Sequence, residues 1–389
     1  MRRLNSPTLS KCFNESIKFM RTIFVFAAVV LLLGACGRNV ESAGSCKVID
    51  IENAPKAKCE IKSEGKEIVA LETTDNSLIK RVTSLFVTDE YIIVFDSGSH
   101  RILQFDRKGK FIRCMSRQGR GPKEIPWFAE VIFHDNLLYV LGMGKLLVIN
   151  MAGDVVRSIA LDNFGFNSCY PASNGGFWAY LYSNERDRPY YLSLLDENLN
   201  VVNNWGEKHP QALYVIQPQK YFFNDGAGEL YFYHCLTDSI YHLTDNGAEP
   251  VYRFDFGESD NLDYQKISQL CDHDEISNER NGKMEVGGGR VFVGDYLIFT
   301  YAQNLEDGAP LYYGAYDTKT GKTYRLSNGI SIPFFLHKPT KEGAYFYFAI
   351  PPHVLGEDLL KEYEQHCGHT IKEDDNPIIV IDKVTVTLQ

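Results

Sequence analysis

Apolar and polar positions follow a β-hairpin pattern that repeats along the chain. The clearest copy has apolar runs at 102–105 and 111–115, separated by the polar residues 106–109. Gly109 provides the positive-φ position that a short hairpin loop with a bulge requires. This stretch therefore predicts two antiparallel strands joined by a tight turn.

Five further segments carry the same pattern, at 146–159, 191–205, 239–254, 312–326 and 378–388. Equivalent turn positions in the first four copies, namely Asp106, Asn150, Asp196 and Thr244, lie 44, 46 and 48 residues apart. Propeller blades recur at about 40 to 50 residues. The spacing thus indicates six blade-sized repeats.

Each hairpin is preceded by another apolar run, and a shorter apolar run comes before that, as at 84–89 and 91–96. Four short strands per repeat are typical of a propeller blade. We therefore expect an all-β fold, a six-bladed β-propeller of four-stranded antiparallel blades over residues 66–389. We also expect strand 67–71 to join the blade that contains 378–381 and so close the ring.

Two intervals between repeats, 73 residues to Asp317 and 65 to Asp382, are longer than a blade requires. The inserts 258–285 and 351–377 account for them, and both contain short helical patterns. Connections from second to third strands and from one blade to the next share one face, here called the top face. Both inserts and the loop 302–310 fall there, which makes it the predicted binding face.

The N-terminal region has the order of a secretory signal. A basic start at Arg21 precedes an apolar run at 23–33, which is shorter than the roughly 20 residues of a membrane span. Residues 33–36 resemble a bacterial lipobox, which implies removal of 1–35 and lipidation of Cys36. Met20 is the expected true start, and the polar residues 36–65 are the expected tether. An uncleaved anchor helix is the alternative.

The net charge of the chain is −10, and removal of residues 1–35, with five basic residues and one acidic residue, makes it −14. This balance argues against nucleic-acid binding. Nine cysteines, of which seven would be free thiols after lipidation, do not describe a disulfide framework. Cys46 with Cys59, and Cys271 with Cys367, are candidate pairs, with free thiols as the alternative.

Three segments, at 71–79, 104–124 and 375–384, resemble the six-bladed β-propeller lipoproteins of Bacteroidetes, which are similar to NHL-repeat propellers. The resemblance covers residues 66–389. Its motif GQGPGE reads GRGPKE at 119–124, with Arg120 and Lys123 replacing two members. The resemblance implies the propeller fold and a lipid-anchored position in the cell envelope, at the outer membrane, on the periplasmic or the surface side. It implies no reaction.

The loop after the first hairpin is the predicted ligand site. Its members are Arg117, Arg120, Lys123, Glu124 and Trp127. Arginine offers a planar fork to carboxylate or phosphate, and a tryptophan can stack on a sugar. The alternative is a Gly-Pro crossover between blades with solvated charges and a core tryptophan.

Catalytic motifs are scarce. HExxH, CxxC and GxSxG do not occur in the sequence. Propeller lyases and lactonases bind metals through channel-facing side chains, and four histidines lie near predicted strand ends, namely His134, His234, His242 and His337. The cluster 271–275 is a further metal candidate, although adjacent ligands seldom converge on one ion. No residue is assigned to a metal, and the cofactor is unknown.

The sequence therefore favours a lipid-anchored binding or scaffolding propeller. Its expected partners are the membrane, through Cys36, and a glycan, a peptide or an envelope protein at the top face. The alternative is a metal-dependent lyase or hydrolase of the lactonase or amidating-lyase type.

Overall fold

The structure, a computed structural model, describes residues 46–161, 166–181, 190–207, 220–267, 269–270, 272–303, 310–333 and 336–389. The predicted signal peptide 1–35, the predicted lipidation site Cys36 and residues 37–45 lie outside the described residues. Among the described residues, no helix has the length and apolar character needed to cross a membrane.

The described part of the chain begins with three strands that belong to three different sheets: β1 (Lys47–Asp50), β2 (Lys56–Ala57) and β3 (Cys59–Ala70). The first sheet follows, with β4 (Val82–Val87), β5 (Tyr91–Asp96), β6 (Arg101–Asp106), β7 (Phe111–Gln118) and β8 (Glu124–Ile125). The second contains β9 (Phe128–His134), β10 (Leu137–Gly142), β11 (Lys145–Asn150) and β12 (Val155–Ala160). The third contains β13 (Ser168–Pro171), β14 (Phe177–Tyr180), β15 (Tyr190–Leu195) and β16 (Val201–Glu207).

The fourth sheet consists of β17 (Phe222–Asn224), β18 (Leu230–Phe232), β19 (Ser239–Thr244) and β20 (Gly247–Asp255), with β1 outside β20. The fifth consists of β21 (Met284–Val293), β22 (Tyr296–Gln303), β23 (Tyr312–Asp317) and β24 (Thr323–Leu326), with β2 outside β24. The sixth consists of β25 (His337–Pro339), β26 (Ala344–Ile350), β27 (Ile378–Leu388) and β3.

These six sheets are the blades of a β-propeller, so the predicted fold is confirmed. The opening hairpin has its predicted turn, in which Gly109 adopts a φ of 84° and its N–H donates to the Asp106 carbonyl at 3.0 Å. Apolar side chains fill the spaces between neighbouring blades. Phe105, for example, is fully buried between the first blade and the sixth, where Ile379 and Ile381 lie.

Strand β3 closes the ring with β27, the last strand of the chain, as predicted. Strand β3 pairs antiparallel with β27, with Val69 opposite Ile379 and Glu67 opposite Ile381. The pairing extends beyond the predicted strand 67–71, because residues from Cys59 onward continue it to Leu388. The sixth blade therefore takes three strands from the C-terminal part of the chain and its outer strand from the N-terminal part.

The expectation of a tether up to residue 65 is wrong for residues 46–65. Strand β1 pairs in parallel with β20, and β2 pairs in parallel with β24, before β3 enters the sixth blade. Ile49, Ile51 and Ala54 are buried along this path. The segment is polar overall, but apolar side chains such as Ile49 and Ile51 pack into the core of the fourth and fifth blades. Its backbone pairs with the outer strands of these blades, which would otherwise be open edges.

The two inserts contain helices, as predicted. Helices α1 (Tyr264–Ile267) and α2 (His273–Arg280) lie between the fourth and fifth blades, and a 3₁₀ turn (Pro352–Val354) and α3 (Glu357–Cys367) connect β26 to β27. The side chain of Asp272 caps α2 by accepting hydrogen bonds from two backbone N–H groups. Residues 304–309 of the third predicted top-face loop lie outside the described residues.

No disulfide joins the cysteines of the described residues. Cys46 and Cys59 are not bonded to each other. Cys367 is also a thiol, whereas its predicted partner Cys271 lies outside the described residues.

Candidate functional site

A cavity of about 580 Å³ lies at the centre of the ring. It is lined mainly by the first strands of five blades, β4, β9, β13, β17 and β25. Asp135 and residues 225–228, which form turns between first and second strands, also line it. Those turns lie on the face opposite the top face, here called the bottom face. The described cavity therefore reaches the face that the sequence did not favour.

Glu130, on β9, is the acidic group inside this cavity. Its Oε2 accepts a 2.6 Å hydrogen bond from the Ser168 hydroxyl and a 3.4 Å bond from the Cys169 N–H. Burial raises the pKa of the Glu130 carboxyl to about 7, against the opposing effects of these two bonds and of Lys220. Protein surrounds the side chain, yet part of it remains accessible because the cavity itself has room for solvent.

Lys220, directly before β17, is the basic group inside the cavity. Burial lowers the pKa of its ammonium to about 8, and the nearby Glu130 charge opposes this effect. Within the described part of the chain, no hydrogen bond or ion pair satisfies the Nζ atom. The carbonyl of the same residue accepts a 3.1 Å hydrogen bond from Arg290 Nη2. The backbone at Lys220 is thus held in place while its ammonium is left available.

Arg290 supports this wall from the fifth blade. Its guanidinium lies 4.2 Å from the ring centroid of Tyr233 and 5.6 Å from that of Phe223, and its Nη1 donates to the Gly287 carbonyl at 2.7 Å. Burial lowers the pKa of Arg290 to about 10. Aromatic faces partly compensate a desolvated cation, so Arg290 stabilises the strand that carries Phe223.

Polar groups near the mouth are bonded to one another. The Tyr170 hydroxyl donates to Asn224 Oδ1 at 2.9 Å and lies 3.4 Å from His134 Nδ1. The other ring nitrogen of His134 lies 3.3 Å from the Asp135 carboxylate. Asp225 accepts hydrogen bonds from the N–H groups of two turn residues and from a tyrosine hydroxyl. These groups shape the mouth and have few free bonding positions.

Aromatic rings form much of the remaining wall. The lining includes Phe86, Phe133, Phe222, Phe223 and Tyr347. Phe86 and Phe133 contact each other with ring centroids 5.9 Å apart. The cavity therefore combines apolar walls with one acid and one base at its interior.

The residues predicted from sequence form a separate cluster at the top face. Arg117 Nε pairs with Glu124 Oε1 at 2.9 Å, and Glu124 Oε2 accepts a 2.8 Å hydrogen bond from the Gly121 N–H. Lys123 Nζ donates to the Gly153 carbonyl at 2.7 Å. The hydrogen bonds from the Gly121 N–H and Arg117 lower the pKa of Glu124. Together with the Lys123 bond, they hold the loop as a crossover between two blades.

The other two predicted site residues in this region, Arg120 and Trp127, are exposed. The Trp127 side chain is 57% exposed and lies 5.7 Å from the His100 ring, so it is not a core aromatic. None of the five predicted residues is among the described residues that line the cavity. Ligand binding by this loop stays a prediction.

Two of the four histidines noted in the sequence are held by neighbouring side chains of the protein. His234 is enclosed by the rings of Tyr180, Tyr191 and Phe232, and burial lowers its pKa to about 3. His242 pairs with Glu229 at 2.8 Å. Across the described residues, no three His, Cys, Asp or Glu side chains are grouped as metal ligands would be. Cys271 of the predicted cluster lies outside them.

Glu130 and Lys220 were not among the residues predicted from the sequence. A usable signal was present, because Glu130 interrupts an otherwise apolar first strand and Lys220 comes directly before another. A charged side chain in the innermost strand of a blade either lines the central cavity, as Glu130 does, or packs against a neighbouring blade, as Arg290 does.

The chain is similar to one protein family and to solved structures of Bacteroides proteins. The family described as Domain of unknown function (DUF4934) matches residues 46–383. A Bacteroides fragilis protein described as exported aligns with a TM-score of 0.63 at 16% identity, over 88% of this chain and 99% of that one. A DUF4221 member from Bacteroides vulgatus aligns with a TM-score of 0.49 at 11% identity, over 85% and 99%. No curated protein matches the chain.

Proposed function

The chain belongs to the DUF4934 family, among the six-bladed β-propellers of Bacteroidetes, and we propose that it is an exported binding protein that takes a small ligand into its central cavity. The observation that carries this proposal is the cavity itself. Its volume of about 580 Å³ lies within the roughly 300 to 1,000 Å³ of small-molecule sites. Apolar walls with a few convergent polar groups are the usual composition of such sites.

The charges inside the cavity support binding over a purely structural role. A buried ammonium and a buried carboxylate destabilise a fold unless they are paired and hydrogen-bonded. Lys220 has no such partner among the described side chains, and Glu130 uses only one of its two carboxylate oxygens. Groups with shifted pKa values in a cleft are candidates for function.

The cellular setting is part of the same proposal. The sequence around Cys36 resembles a lipobox, and a fold relative from Bacteroides fragilis is described as exported. We place the protein in the cell envelope, anchored to the outer membrane by lipid on Cys36. Metabolic labelling with a fatty acid should mark the wild-type chain and leave the Cys36→Ser variant unlabelled.

A blocked mouth tests ligand binding. Ala227 is exposed in the β17–β18 turn at the cavity mouth, so Ala227→Trp should obstruct entry. Ala152 is exposed in the β11–β12 turn, on the same face but away from the cavity, and Ala152→Trp is the matched control.

The readout is thermal stabilisation by a panel of free amino acids, short peptides, small sugars, and aromatic acids and amines at millimolar concentration. The proposal predicts that some compounds stabilise the wild type and the Ala152→Trp variant but not the Ala227→Trp variant. Stabilisation of all three proteins alike, or no stabilisation of the wild type, contradicts it.

A further inference from the structure

The charged side chains that line the cavity differ in whether other groups of the protein form hydrogen bonds or ion pairs with them. Asp135 faces His134, and Asp225 accepts three hydrogen bonds. Lys338 is exposed at the mouth. Within the described residues, Lys220 Nζ and Glu130 Oε1 are the interior charged atoms that no hydrogen bond or ion pair satisfies.

These two groups lie close enough for each charge to shift the pKa of the other, yet no ion pair within 4.0 Å joins them. A gap between an ammonium and a carboxylate in a low-dielectric site leaves both partly uncompensated. A bound group that carries one negative and one positive charge would complete both at once, by charge-assisted hydrogen bonds.

We propose that the cavity selects zwitterionic ligands with an apolar body, of the class of free hydrophobic α-amino acids, with Lys220 binding the ligand carboxylate and Glu130 its ammonium. This inference rests on the proposed function, since it names the ligand class for the same cavity. The Ser168 hydroxyl and the Cys169 N–H hold Oε2 of Glu130 and leave Oε1 for the ligand.

The walls fit the apolar body of such a ligand. Phe133, Phe222 and Phe223 line the cavity beside the two charges, and burial of an apolar side chain against aromatic rings is favourable. A sugar would bring several hydroxyl groups, each needing a partner. The side chains at the mouth, such as Tyr170 and Asn224, already bond each other. The inner strand edges offer further backbone groups, but these carry no charge.

Binding to the purified protein should be measured by calorimetry with L-phenylalanine, L-leucine and L-tryptophan as probes. Phenethylamine keeps the ammonium of phenylalanine and lacks the carboxylate, whereas hydrocinnamate keeps the carboxylate and lacks the ammonium. Glucose serves as the neutral polyol. We expect at least one amino acid to bind, and to bind at least about tenfold more tightly than phenethylamine and hydrocinnamate, which each carry a single charge.

Two variants assign the two ends of the ligand. Glu130→Gln keeps the shape of the side chain and removes its charge, so it should weaken amino-acid binding about tenfold or more and change hydrocinnamate binding little. Lys220→Met should weaken both amino-acid and hydrocinnamate binding. The variant Ala152→Trp should leave all affinities unchanged.

The outcomes separate this inference from the proposed function. The ligand class is wrong if glucose or a single-charge analogue binds as tightly as the amino acids, or if both charge variants bind amino acids like the wild type. In those cases the proposed function still holds, provided that the Ala227→Trp substitution abolishes the binding. If another compound of the panel binds in the cavity and no amino acid does, the zwitterionic ligand class is wrong but the proposed function holds. If nothing binds there, both fail.

Discussion

The Oδ1 atom of Asn376 accepts a 2.8 Å hydrogen bond from the backbone N–H of Ile79, 297 residues earlier in the chain. The Nδ2 atom of the same side chain donates to the carbonyls of Glu72 and Ser77 at 2.8 and 3.0 Å. Asn376 is 2% exposed. One buried amide therefore fixes the connection that leads from the sixth blade into the first.

Replacing Asn376 with alanine should destabilise the protein by about 2 to 4 kcal/mol, because three backbone groups would lose their partner in a buried place. Urea denaturation measures the change. Asn198→Ala, at an exposed turn, should change the free energy of unfolding by no more than about 0.5 kcal/mol. Equal effects of the two substitutions would show that the Asn376 bonds do not stabilise the ring.

Removal of the residues before 58 should leave the ring closed but should expose the outer strands of the fourth and fifth blades. Strands β1 and β2 would be lost, and β20 and β24 would present unpaired backbone groups that promote association. We expect a lower melting temperature and concentration-dependent oligomers in analytical ultracentrifugation. A chain beginning at residue 72, which also lacks β3, should lose cooperative melting. Cooperative melting of that shorter chain would refute closure of the ring by β3.

The raised pKa of Glu130 makes stability depend on pH. Its folded-state pKa of about 7 exceeds the ordinary value of 4.5, so the folded protein binds more protons than the unfolded chain between these values. The resulting contribution is fully present below pH 4.5 and is lost as the pH rises through about 7. The difference in urea midpoint between the wild type and Glu130→Gln should fall over that range. Glu373→Gln, at an exposed site, should show no such trend.

The charges in the cavity should lower stability. The double variant Glu130→Gln/Lys220→Met removes two partly buried charges that no ion pair joins, and it should stabilise the ligand-free protein by about 1 to 3 kcal/mol at pH 7. The exposed pair Lys62 and Glu64, 3.1 Å apart, provides the control, since Lys62→Met/Glu64→Gln should have almost no effect. A cavity pair that proves stabilising in chemical denaturation would have a structural role, contrary to the proposal.

The fold was accessible from sequence because it depends on a local pattern that recurs. Turn positions such as Asp106 and Gly109 mark the hairpins of the first five blades, and the apolar runs between them identify the blades. The sixth predicted copy, 378–388, is wrong as a hairpin, because it forms the single strand β27, which pairs along its length with β3. Closure by residues 67–71 followed from counting strands. Strands β1 and β2 were not predictable, because two- to four-residue segments gain their pairing only from the edges of blades far along the chain.

The cavity was inaccessible for a related reason. Glu130 and Lys220 belong to different blades, and only the closed ring brings them into one space. Their charges also suggested solvent exposure, as most charged residues do. The top-face loops were predicted as the binding site instead, because their length and composition can be read from the sequence.

The pairing of β3 with β27 sets the order of events in biogenesis. Ser63 bonds Asp382 across 319 residues, and a ribosome adding about 5 to 20 residues per second takes roughly 15 to 60 seconds to cover that distance. During this time β3 has no partner, so the sixth blade is assembled last. A nascent chain stalled before residue 378 should therefore remain protease-sensitive at its N-terminal end even when its middle blades have formed.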